Sequence, residues 1–502
     1  MKKALPPFPL SLDGHSLKFN DIENIALGIP ISISNDAKKR IKSCRKKVLE
    51  LIKDGSRIYG VNTGFGYFAN TEVDGKKCKA LQHNLLLSHA SGHGDPLSIA
   101  ETRLAMTLRL NVLTKGLTGV RWELCEQLLK LIHAEIYPIV PEKGSVGASG
   151  DLAPLAHLAL PIIGQGKVRY EGRTTSAASA LKSAGLSPLV LEEKEGLSLI
   201  NGTQIMLAVG GHALHEALIL SHYADKIAAL TFEALEGRMQ ALHLPLHRAR
   251  GQVGQIETAK ALKAELKGVN LSRKKRYHTR LQDPYSLRCI PQIHGPSKDS
   301  LKHAKTIIER ELNAATDNPL VFEKESRIIN GGNFHGQALA MAFDIAAMAL
   351  SELGNVSERR LELMLNPQFS GLAAFLSPEE GFQSGYMASQ YLSASLVSES
   401  KLLANPACTD SIPGNVGVED FVSMGMTSAH KLKQIVKNLR ANLAIELLAA
   451  AQAFDLRNLD PRGAGTKQTY AAIRHCVPTL KKDRIVSYDI DKAVDLLLSE
   501  GI

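Results

Sequence analysis

Long helical stretches that are apolar around most of their circumference constrain this chain more than any other feature. They are expected near residues 202–240, 297–315, 335–365 and 420–456, and include "ALAMAFDIAAMALSEL" and "LAIELLAAAQAF". A helix without a wide polar face must be covered on all sides, so these stretches predict a helical bundle or an oligomer core. The predicted fold class is therefore mainly α.

The N-terminal part has a more mixed pattern. "KVRYEGR" (167–173) predicts a short hairpin, and a helix is expected near 177–184. Helical spacing also predicts four earlier helices, from Asn35 onward and near 78–91, 97–113 and 120–135. A chain of 502 residues exceeds the usual size of one core. We therefore expect an N-terminal domain over 1–215 and a helical bundle with a C-terminal helical part over 216–502.

The charge pattern favours a small-molecule partner over a nucleic acid. The net charge is +10, and basic runs cover 38–47 and 272–280. No aromatic stacking pattern or nucleic-acid motif accompanies these runs, so they are interpreted as solvated surfaces. A positive field would also attract an anionic small substrate.

Several features predict a cytoplasmic protein. The six cysteines lie far apart without a CxxC pair, which favours a reducing compartment over a disulfide framework. Prolines and Asp13 near the start interrupt the apolar core that a signal peptide needs. No stretch is expected to be long and apolar enough to span a membrane.

The stretch "GSVGASGDLAPLAHLAL" (144–160) is the main candidate for chemistry. A phosphate-binding loop would need Lys-Ser or Lys-Thr after the last glycine, but Asp151 follows and would repel phosphate. The GxSxG frame of a serine-hydrolase elbow is absent here. A plain structural turn remains an alternative.

Backbone cyclisation explains the composition of this stretch better. The nitrogen of Gly150 could attack the carbonyl carbon of Ala148, because glycine has no Cβ and alanine is small. Loss of two water molecules, one from the Ser149 side chain, would give 4-methylidene-imidazol-5-one (MIO), a carbon electrophile. Asp151 could carry protons, and a helix starting at Leu152 would direct its positive end at the ring. No external cofactor is needed.

The chain resembles the aromatic amino acid ammonia-lyase family, which includes histidine, phenylalanine and tyrosine ammonia-lyases and aminomutases. The resemblance runs from about residue 10 to the end. Besides the glycine stretch it rests on "YGVNTGFG" (59–66), "LLLSHASG" (85–92), "GLSLINGTQ" (196–204), "QDPYSLRC" (282–289), "GGNFHG" (331–336), "SGYMASQ" (384–390) and "DSIPGNVGVEDFVSMG" (410–425). It implies an α-helical homotetramer whose active sites are built from three chains.

The resemblance also implies roles for individual residues. Tyr59 matches the base that removes the β-proton, and its phenol needs positive surroundings to act near neutral pH. Arg288 matches the anchor of the substrate carboxylate, which a guanidinium binds bidentately. Asn201 matches the residue that supports that carboxylate and the intermediate. Further matches are the hydrogen-bonding neighbours Gln282 and Tyr285, and Phe334, which packs against the prosthetic group.

His89 and Glu419 are expected to select the substrate. Both positions resemble the histidine lyases, and polar groups facing a phenyl ring would be left unsatisfied. The expected reaction is the elimination of ammonia from L-histidine to give trans-urocanate, as in histidine degradation. Three departures make the pocket less polar than in a typical histidine lyase: Phe421, Gly417-Val418 and Gly336-Gln337. They leave tyrosine ammonia-lyase or tyrosine 2,3-aminomutase as the alternative.

Two other interpretations carry less weight. His89 and His93 are four residues apart, as in a helical metal site, but no third ligand is near in sequence and Ser91-Gly92 weaken that helix. No metal is therefore expected. A non-catalytic helical oligomer would be expected to lose Tyr59, Ser149 or Arg288, and the chain keeps all three.

Overall fold

The computed structural model describes residues 8–54, 56–270, 281–499 and 501–502. The basic run 272–280 lies outside the described residues. Nineteen α-helices form within the described ranges: α1 (Asp21–Ala26), α2 (Asn35–Lys53), α3 (Cys78–His89), α4 (Ile99–Thr114), α5 (Trp122–His133), α6 (Leu152–Ala159), α7 (Ala177–Ser183), α8 (Glu195–Ile200), α9 (Gln204–Ala234), α10 (Leu244–Arg250), α11 (Val253–Glu265), α12 (Tyr285–Arg288), α13 (Ile290–Glu311), α14 (Gln337–Leu365), α15 (Pro367–Ser370), α16 (Met387–Leu403), α17 (Gly425–Arg457), α18 (Ala464–Cys476) and α19 (Val486–Leu498). The predicted fold class, mainly α, is confirmed.

A bundle of long helices forms the centre of the fold. Helices α9, α13, α14 and α17 pack against one another, and α16 lies against α14 and α17. Buried side chains cover most of the circumference of α9 and α17, as the sequence predicted. At Gly210 of α9 an added Cβ would lie 2.2 Å from the Phe343 ring of α14, so glycine permits this close approach.

Buried polar contacts fix the helices of the bundle relative to one another. The Glu446 carboxylate on α17 accepts hydrogen bonds from Arg360 of α14, with Nε to Oε1 at 2.6 Å, and from Thr231 of α9 at 2.8 Å. Each charge in this interior cluster has a partner, which such burial requires. The helices therefore have a defined register as well as an apolar contact.

The four long predicted helices are present with shifted ends. Helix α13 begins at Ile290 instead of 297, because Pro291 suits a first helical turn and the helix continues through Pro296. Helix α9 ends at Ala234 instead of 240, and a separate 3₁₀ turn follows over Met239–Leu242. Helices α16, α18 and α19 were not predicted.

Helix α14 has the length and composition of a membrane span, with a mean hydropathy of 1.3 in its most apolar window. The expectation that no stretch meets this criterion is therefore wrong. Within that window 72% of the residues are buried inside the protein. Its contacts with α13 and α17 explain the apolar composition, so α14 is a core helix.

The strands are short and lie mostly in the N-terminal part. The predicted hairpin of 167–173 is confirmed as β6 and β7, and the helix near 177–184 as α7. Strands β1 and β2 pair in parallel, while β3–β5, β4–β6–β7 and β8–β9 are antiparallel. Their bounds are β1 (Leu10–Leu12), β2 (Ile31–Ile33), β3 (His93–Pro96), β4 (Tyr137–Pro138), β5 (Pro141–Lys143), β6 (Lys167–Tyr170), β7 (Arg173–Ser176), β8 (Leu320–Phe322) and β9 (Arg327–Ile329).

One hydrophobic core joins both halves of the chain. It extends from Leu12 to Leu497 and includes buried residues of the four long helices α9, α13, α14 and α17. The expected boundary between residues 215 and 216 falls within the continuous helix α9. The division into 1–215 and 216–502 stays a prediction.

Candidate active site

The glycine stretch forms a tight loop directly before α6. Gly144, Gly147 and Gly150 all have positive φ, at 140°, 77° and 70°. An added Cβ on Gly150 would lie 2.1 Å from the carbonyl oxygen of Gly202, and one on Gly147 would lie 2.1 Å from Ser423 Oγ. Both the backbone conformation and the close packing therefore require glycine here.

Two distant segments hold this loop in place. On one side, the Asp151 amide donates to the Gly202 carbonyl at 2.7 Å, and Gly150 forms a parallel β-bridge with Gly202. On the other side, the Met424 amide donates to the Val146 carbonyl at 2.9 Å. The loop is thus clamped between the segment that precedes α9 and the segment that precedes α17.

Asp151 is a buried carboxyl group beside the Ala148–Gly150 triplet. Its Oδ2 accepts from the Met206 amide at 2.8 Å, and its Oδ1 accepts from the Ser145 hydroxyl at 3.0 Å. Burial raises the pKa of Asp151 to about 7, against the lowering effect of these hydrogen bonds. Near neutral pH this carboxyl can both accept and donate a proton. Helix α6 starts at Leu152, as predicted.

Ser149 lies between two adjoining cavities of about 640 and 410 Å³. His89 lines the larger cavity, and Ala148, Asn201 and Phe334 line the smaller one. Five residues line both cavities: Tyr59, Gly66, Ser149, Leu197 and Glu419. Seven of the residues predicted for the site thus surround one continuous space.

The Tyr59 hydroxyl accepts a hydrogen bond from the Gly66 amide at 3.0 Å. Burial raises the pKa of Tyr59, the Gly66 N–H opposes this, and the nearby Glu419 charge adds to the rise. The sequence analysis expected positive surroundings that would poise this phenol. Among the described residues, the groups that shift its pKa do not include a cation.

His89 is the last residue of α3 and presents an acceptor to the larger cavity. Its Nδ1 lies 3.0 Å from the Leu85 carbonyl oxygen, so the neutral ring carries its hydrogen on Nδ1 and leaves Nε2 as an acceptor. Burial lowers the pKa of His89, and the Leu85 hydrogen bond and the Glu419 charge only partly oppose this. The ring is therefore neutral near pH 7.

Glu419 lies on a short loop that is closed by a β-bridge between Gly414 and Glu419. Its Oε1 accepts from Asn415 Nδ2 at 3.2 Å, and Asn415 Oδ1 accepts from the Tyr67 amide at 3.2 Å. Asn415 thus joins the Glu419 loop to the loop that carries Tyr59. The sequence gives no signal for this role, although Asn415 lies within the stretch 410–425 that resembles the family.

Asn201 is buried at the end of α8. Its Nδ2 donates to the Asn318 carbonyl oxygen at 2.9 Å and lies 3.4 Å from Asp317 Oδ1. Its Oδ1 has no hydrogen-bond partner among the described residues. The carboxamide therefore has a defined orientation beside Ala148 and Ser149.

The departures from the histidine-lyase pattern lie at one end of the site. Phe421 is 60% exposed and stacks on His335, with ring centroids 6.2 Å apart and an interplanar angle of 18°. Both rings line the smaller cavity together with Val418. Gly336 contributes no ring or charge, and an added Cβ there would lie 2.5 Å from Met206 Sδ. Gln337 begins α14, and its Nε2 donates to the Cys408 carbonyl oxygen at 3.1 Å.

Gln282, Tyr285 and Arg288 form a separate cluster, which we call the Arg288 cluster. They line a different cavity, of about 480 Å³, which shares no lining residue with the two cavities at Ser149. Arg288 Nη1 donates to Gln282 Oε1 at 2.5 Å, and the guanidinium carbon lies 4.7 Å from the centre of the Tyr285 ring. Within one chain these predicted residues do not meet Ser149.

His89 and His93 do not share a helix face. Helix α3 ends at His89, and His93 begins strand β3, which pairs with β5. Among the described residues, no group of three or more His, Cys, Asp or Glu side chains could hold a metal ion.

The comparisons with known proteins agree with this geometry. A family profile described as aromatic amino acid lyase matches residues 17–475. The chain belongs to the aromatic amino acid lyase family. A histidine ammonia-lyase of Bacillus subtilis is 45% identical to this lyase over 494 residues, covering 98% of this chain and 97% of the relative.

Solved structures share the fold of this aromatic amino acid lyase. A histidine ammonia-lyase from Trypanosoma cruzi has a TM-score of 0.91 at 38% identity and covers 98% of this chain and 94% of its own. A tyrosine aminomutase from Streptomyces globisporus has a TM-score of 0.93 at 37% identity and covers 98% and 97%. The relatives thus include a histidine ammonia-lyase and a tyrosine aminomutase, the two enzyme types that the sequence leaves open.

Proposed function

We propose that this lyase removes ammonia from L-histidine to give trans-urocanate, with an MIO group that forms from Ala148, Ser149 and Gly150. The observation that carries this proposal is the position of Ser149. This residue lies in the glycine-rich loop between the two adjoining cavities, and Tyr59 and Glu419 line both of them. The similarity to curated histidine ammonia-lyases over nearly the whole chain supports it.

The residues of the loop fit the formation of this group. Gly150 has no side chain to hinder attack of its nitrogen on the Ala148 carbonyl carbon, and the clamp at Gly202 holds it in place. Asp151, with a pKa of about 7, can transfer protons while two water molecules leave. The MIO group supplies a carbon electrophile to which a substrate amine can add. No ordinary side chain offers such an electrophile.

Tyr59 would remove the β-proton of the substrate. Tyr59 lines both cavities, as Ser149 does. Because burial and the Glu419 charge raise the pKa of Tyr59, the proposal assigns the cation that stabilises the phenolate to another chain. Removal of the β-proton and cleavage of the C–N bond give the alkene and ammonia without any change of oxidation state at a cofactor.

His89 and Glu419 would bind the imidazole ring. Neutral His89 offers Nε2 and Glu419 offers carboxylate oxygens, so either group can accept a hydrogen bond from the single N–H of a neutral imidazole, and the two together match the two N–H groups of an imidazolium. A phenyl ring would leave them unsatisfied at a cost of about 1–3 kcal/mol per group. This difference favours histidine over phenylalanine.

The Arg288 cluster would complete the site from a neighbouring subunit of a homotetramer. Arg288 would bind the substrate carboxylate, assisted by Gln282 and Tyr285, and would supply the cation that Tyr59 lacks. Exposed apolar side chains on α14 and α16 support such an assembly: Met341, Met348, Tyr391, Leu392 and Leu402. The six free cysteines support a cytoplasmic location.

A second candidate is tyrosine ammonia-lyase or tyrosine 2,3-aminomutase. The exposed Phe421 ring and Val418 make one end of the site apolar, and His89 could accept a hydrogen bond from a phenol hydroxyl. The likeness to a solved tyrosine aminomutase favours this candidate as well.

Two measurements test the proposal. The intact folded chain should be lighter than its sequence by two water molecules, and a chain of full mass would exclude the MIO group. Ammonia release should then be compared with L-histidine, L-tyrosine and L-phenylalanine at equal concentration. Release from histidine alone supports the proposal, whereas release from tyrosine supports the second candidate and calls for a search for the β-amino acid.

A further inference from the structure

A buried glutamine on α3 joins two walls of the candidate active site. The Gln82 side chain is fully buried, so it does not touch a bound substrate. Its Nε2 donates to the Gly60 carbonyl oxygen at 2.9 Å, and its Oε1 accepts from the Leu197 amide at 3.1 Å. Gly60 directly follows Tyr59, and Leu197 lines both cavities at Ser149. A buried carboxamide must be hydrogen-bonded, and this one is bonded at both ends.

The two backbone partners fix the orientation of the Gln82 carboxamide. The Gly60 carbonyl can only accept and the Leu197 amide can only donate, so the NH₂ group faces Gly60 and the oxygen faces Leu197. Leu197 lies in the first turn of α8, where a helix has no acceptor for its own N–H groups. This position therefore requires a group that donates at one end and accepts at the other.

Gly60 is held on its other side as well. Its amide donates to the buried Thr63 Oγ1 at 3.1 Å. The φ of Gly60 is 65°, and an added Cβ would lie 2.5 Å from Leu197 Cδ2 and 2.8 Å from Phe65 Cε1. Both hydrogen-bonding groups of the residue after Tyr59 are thus fixed, and the rigid peptide unit between the two residues carries this constraint to Tyr59.

Helix α8 lies directly against α3 at this point. An added Cβ at Gly196 would lie 2.5 Å from the Gln82 carbonyl oxygen, so glycine permits the close approach. Beyond α8 the chain reaches Gly202, which accepts from the Asp151 amide at 2.7 Å and so clamps the glycine loop. Gln82 therefore joins the Tyr59 loop to the segment that also holds the ring-forming residues.

We infer that Gln82 is a positioning residue that holds Tyr59 in place for removal of the substrate β-proton. This inference rests on the proposed function, in which Tyr59 is the base. A displacement of about 1 Å between reacting groups can lower a rate by about a hundredfold. Because Gln82 does not touch the substrate, its loss slows proton removal and leaves substrate binding nearly unchanged.

The test replaces Gln82 by methionine, which has a similar length and offers neither hydrogen bond. In Gln82→Met, kcat for ammonia release from L-histidine should fall by about tenfold to a hundredfold, and KM should change by less than about twofold. The mass deficit of two water molecules should remain, because the backbone bonds that hold the glycine loop, at Gly202 and Met424, do not involve Gln82.

An isotope effect identifies the step that slows. With L-histidine that carries deuterium at its β-carbon, the ratio of kcat for the protium substrate to kcat for the deuterium substrate should be at least as large in Gln82→Met as in the wild type. A smaller ratio with a lower kcat would show that another step has slowed, and it would overturn the inference. So would a Gln82→Met protein with the wild-type kcat, or one that has lost the mass deficit.

Gln82→Glu is the conservative variant, and it gives a result even if the methionine variant does not fold. A protonated carboxyl group can donate to Gly60 and accept from Leu197 as the carboxamide does, whereas a carboxylate would face the Gly60 oxygen without a hydrogen between them. Burial raises the pKa of a carboxyl group, so the ratio of variant kcat to wild-type kcat should fall by about tenfold as pH rises from about 6 to about 9. A ratio that does not fall would contradict the inference.

Gln127→Met is the matched control. Gln127 of α5 is also buried, and its Nε2 donates to the Ser187 carbonyl oxygen at 3.0 Å. Its replacement should lower stability and leave both kcat and the isotope effect unchanged. If this variant loses kcat as Gln82→Met does, the loss reflects general loosening of the fold, and the inference is wrong.

Two further measurements separate this inference from the proposed function. A wild-type chain of full mass, or a Tyr59→Phe variant with wild-type turnover, would overturn the proposed function and the inference with it. A wild-type chain that is lighter by two water molecules, an inactive Tyr59→Phe variant and a Gln82→Met variant with unaltered kcat would together overturn the inference alone.

Discussion

The Ser149 loop and the Arg288 cluster were predicted as parts of one active site, but they differ in almost every physical respect. The loop is clamped by backbone hydrogen bonds to Gly202 and Met424, and its carboxyl neighbour Asp151 is fully buried. The Arg288 cluster lies on the short helix α12 and on the segment just before it, where Tyr285 is 70% exposed and Arg288 is held by its own neighbours.

This difference fits the proposal that the loop and the carboxylate anchor of one site come from different chains. Ring closure joins atoms of consecutive residues, so it needs a backbone that is fixed to within fractions of an ångström. A carboxylate anchor needs only a charged fork at the right place, and that fork can come from a second chain. The exposed cluster fits an anchor that becomes part of a site on assembly.

The strongest test of the loop is Ser149→Ala. This change leaves the fold intact but removes the hydroxyl that must leave as water, so turnover should fall by at least about a thousandfold. Intact mass should show a chain without the loss of two water molecules. Ser179→Ala, at an exposed position of α7, is the matched control and should keep both turnover and the mass deficit. Substantial activity in Ser149→Ala would contradict the mechanism.

Arg288→Ala tests the other side of the comparison. Loss of a bidentate partner of the substrate carboxylate should lower kcat/KM by about a hundredfold, and Arg288→Lys should recover part of it. The mass deficit should remain, because ring closure does not involve this residue.

Mixing the two impaired variants tests directly whether the loop and the arginine of one site come from different chains. Ser149→Ala and Arg288→Ala chains that are produced together should regain measurable turnover, because one chain would supply the loop and the other the arginine. Two variants that each form tetramers yet stay inactive in every mixture would show that both groups must lie in the same chain.

Glu419→Gln tests substrate choice. The loss of a charged acceptor for the imidazole ring should lower kcat/KM for histidine by about tenfold to a hundredfold, and any activity on aromatic substrates should persist or rise. The ratio of rates for histidine and tyrosine measures the effect. An unchanged histidine rate would remove Glu419 from ring binding.

The smallest effect concerns the stability of the loop against pH. Asp151 has a folded pKa of about 7, above the ordinary value of 3.8, so the folded state holds a proton that the unfolded chain has lost. The free energy of unfolding should therefore fall as pH rises from about 4 to about 7. Asp151→Asn should flatten this dependence in urea unfolding at a series of pH values. An unaltered slope would show that Asp151 titrates normally.

The sequence predicted the parts of the fold whose cause is local. All-round apolar stretches predicted α9, α14 and α17, and the composition of 144–150 predicted a loop that only glycines permit. The failures are contacts between distant segments. The sequence gives no sign that Asn415 joins the Tyr59 loop to Glu419, or that Asp317 lies beside the carboxamide of Asn201.

If the glycine loop forms the proposed electrophile, its clamp also determines when that group can form during biosynthesis. Gly147 packs against Ser423, 276 positions later in the chain, and the Val146 carbonyl oxygen accepts a hydrogen bond from the Met424 amide. A ribosome must therefore release most of the protein before residues 144–151 can adopt the shape that ring closure needs. Until then the nascent chain carries an ordinary, unreactive peptide, so a strong electrophile is not exposed while translation continues.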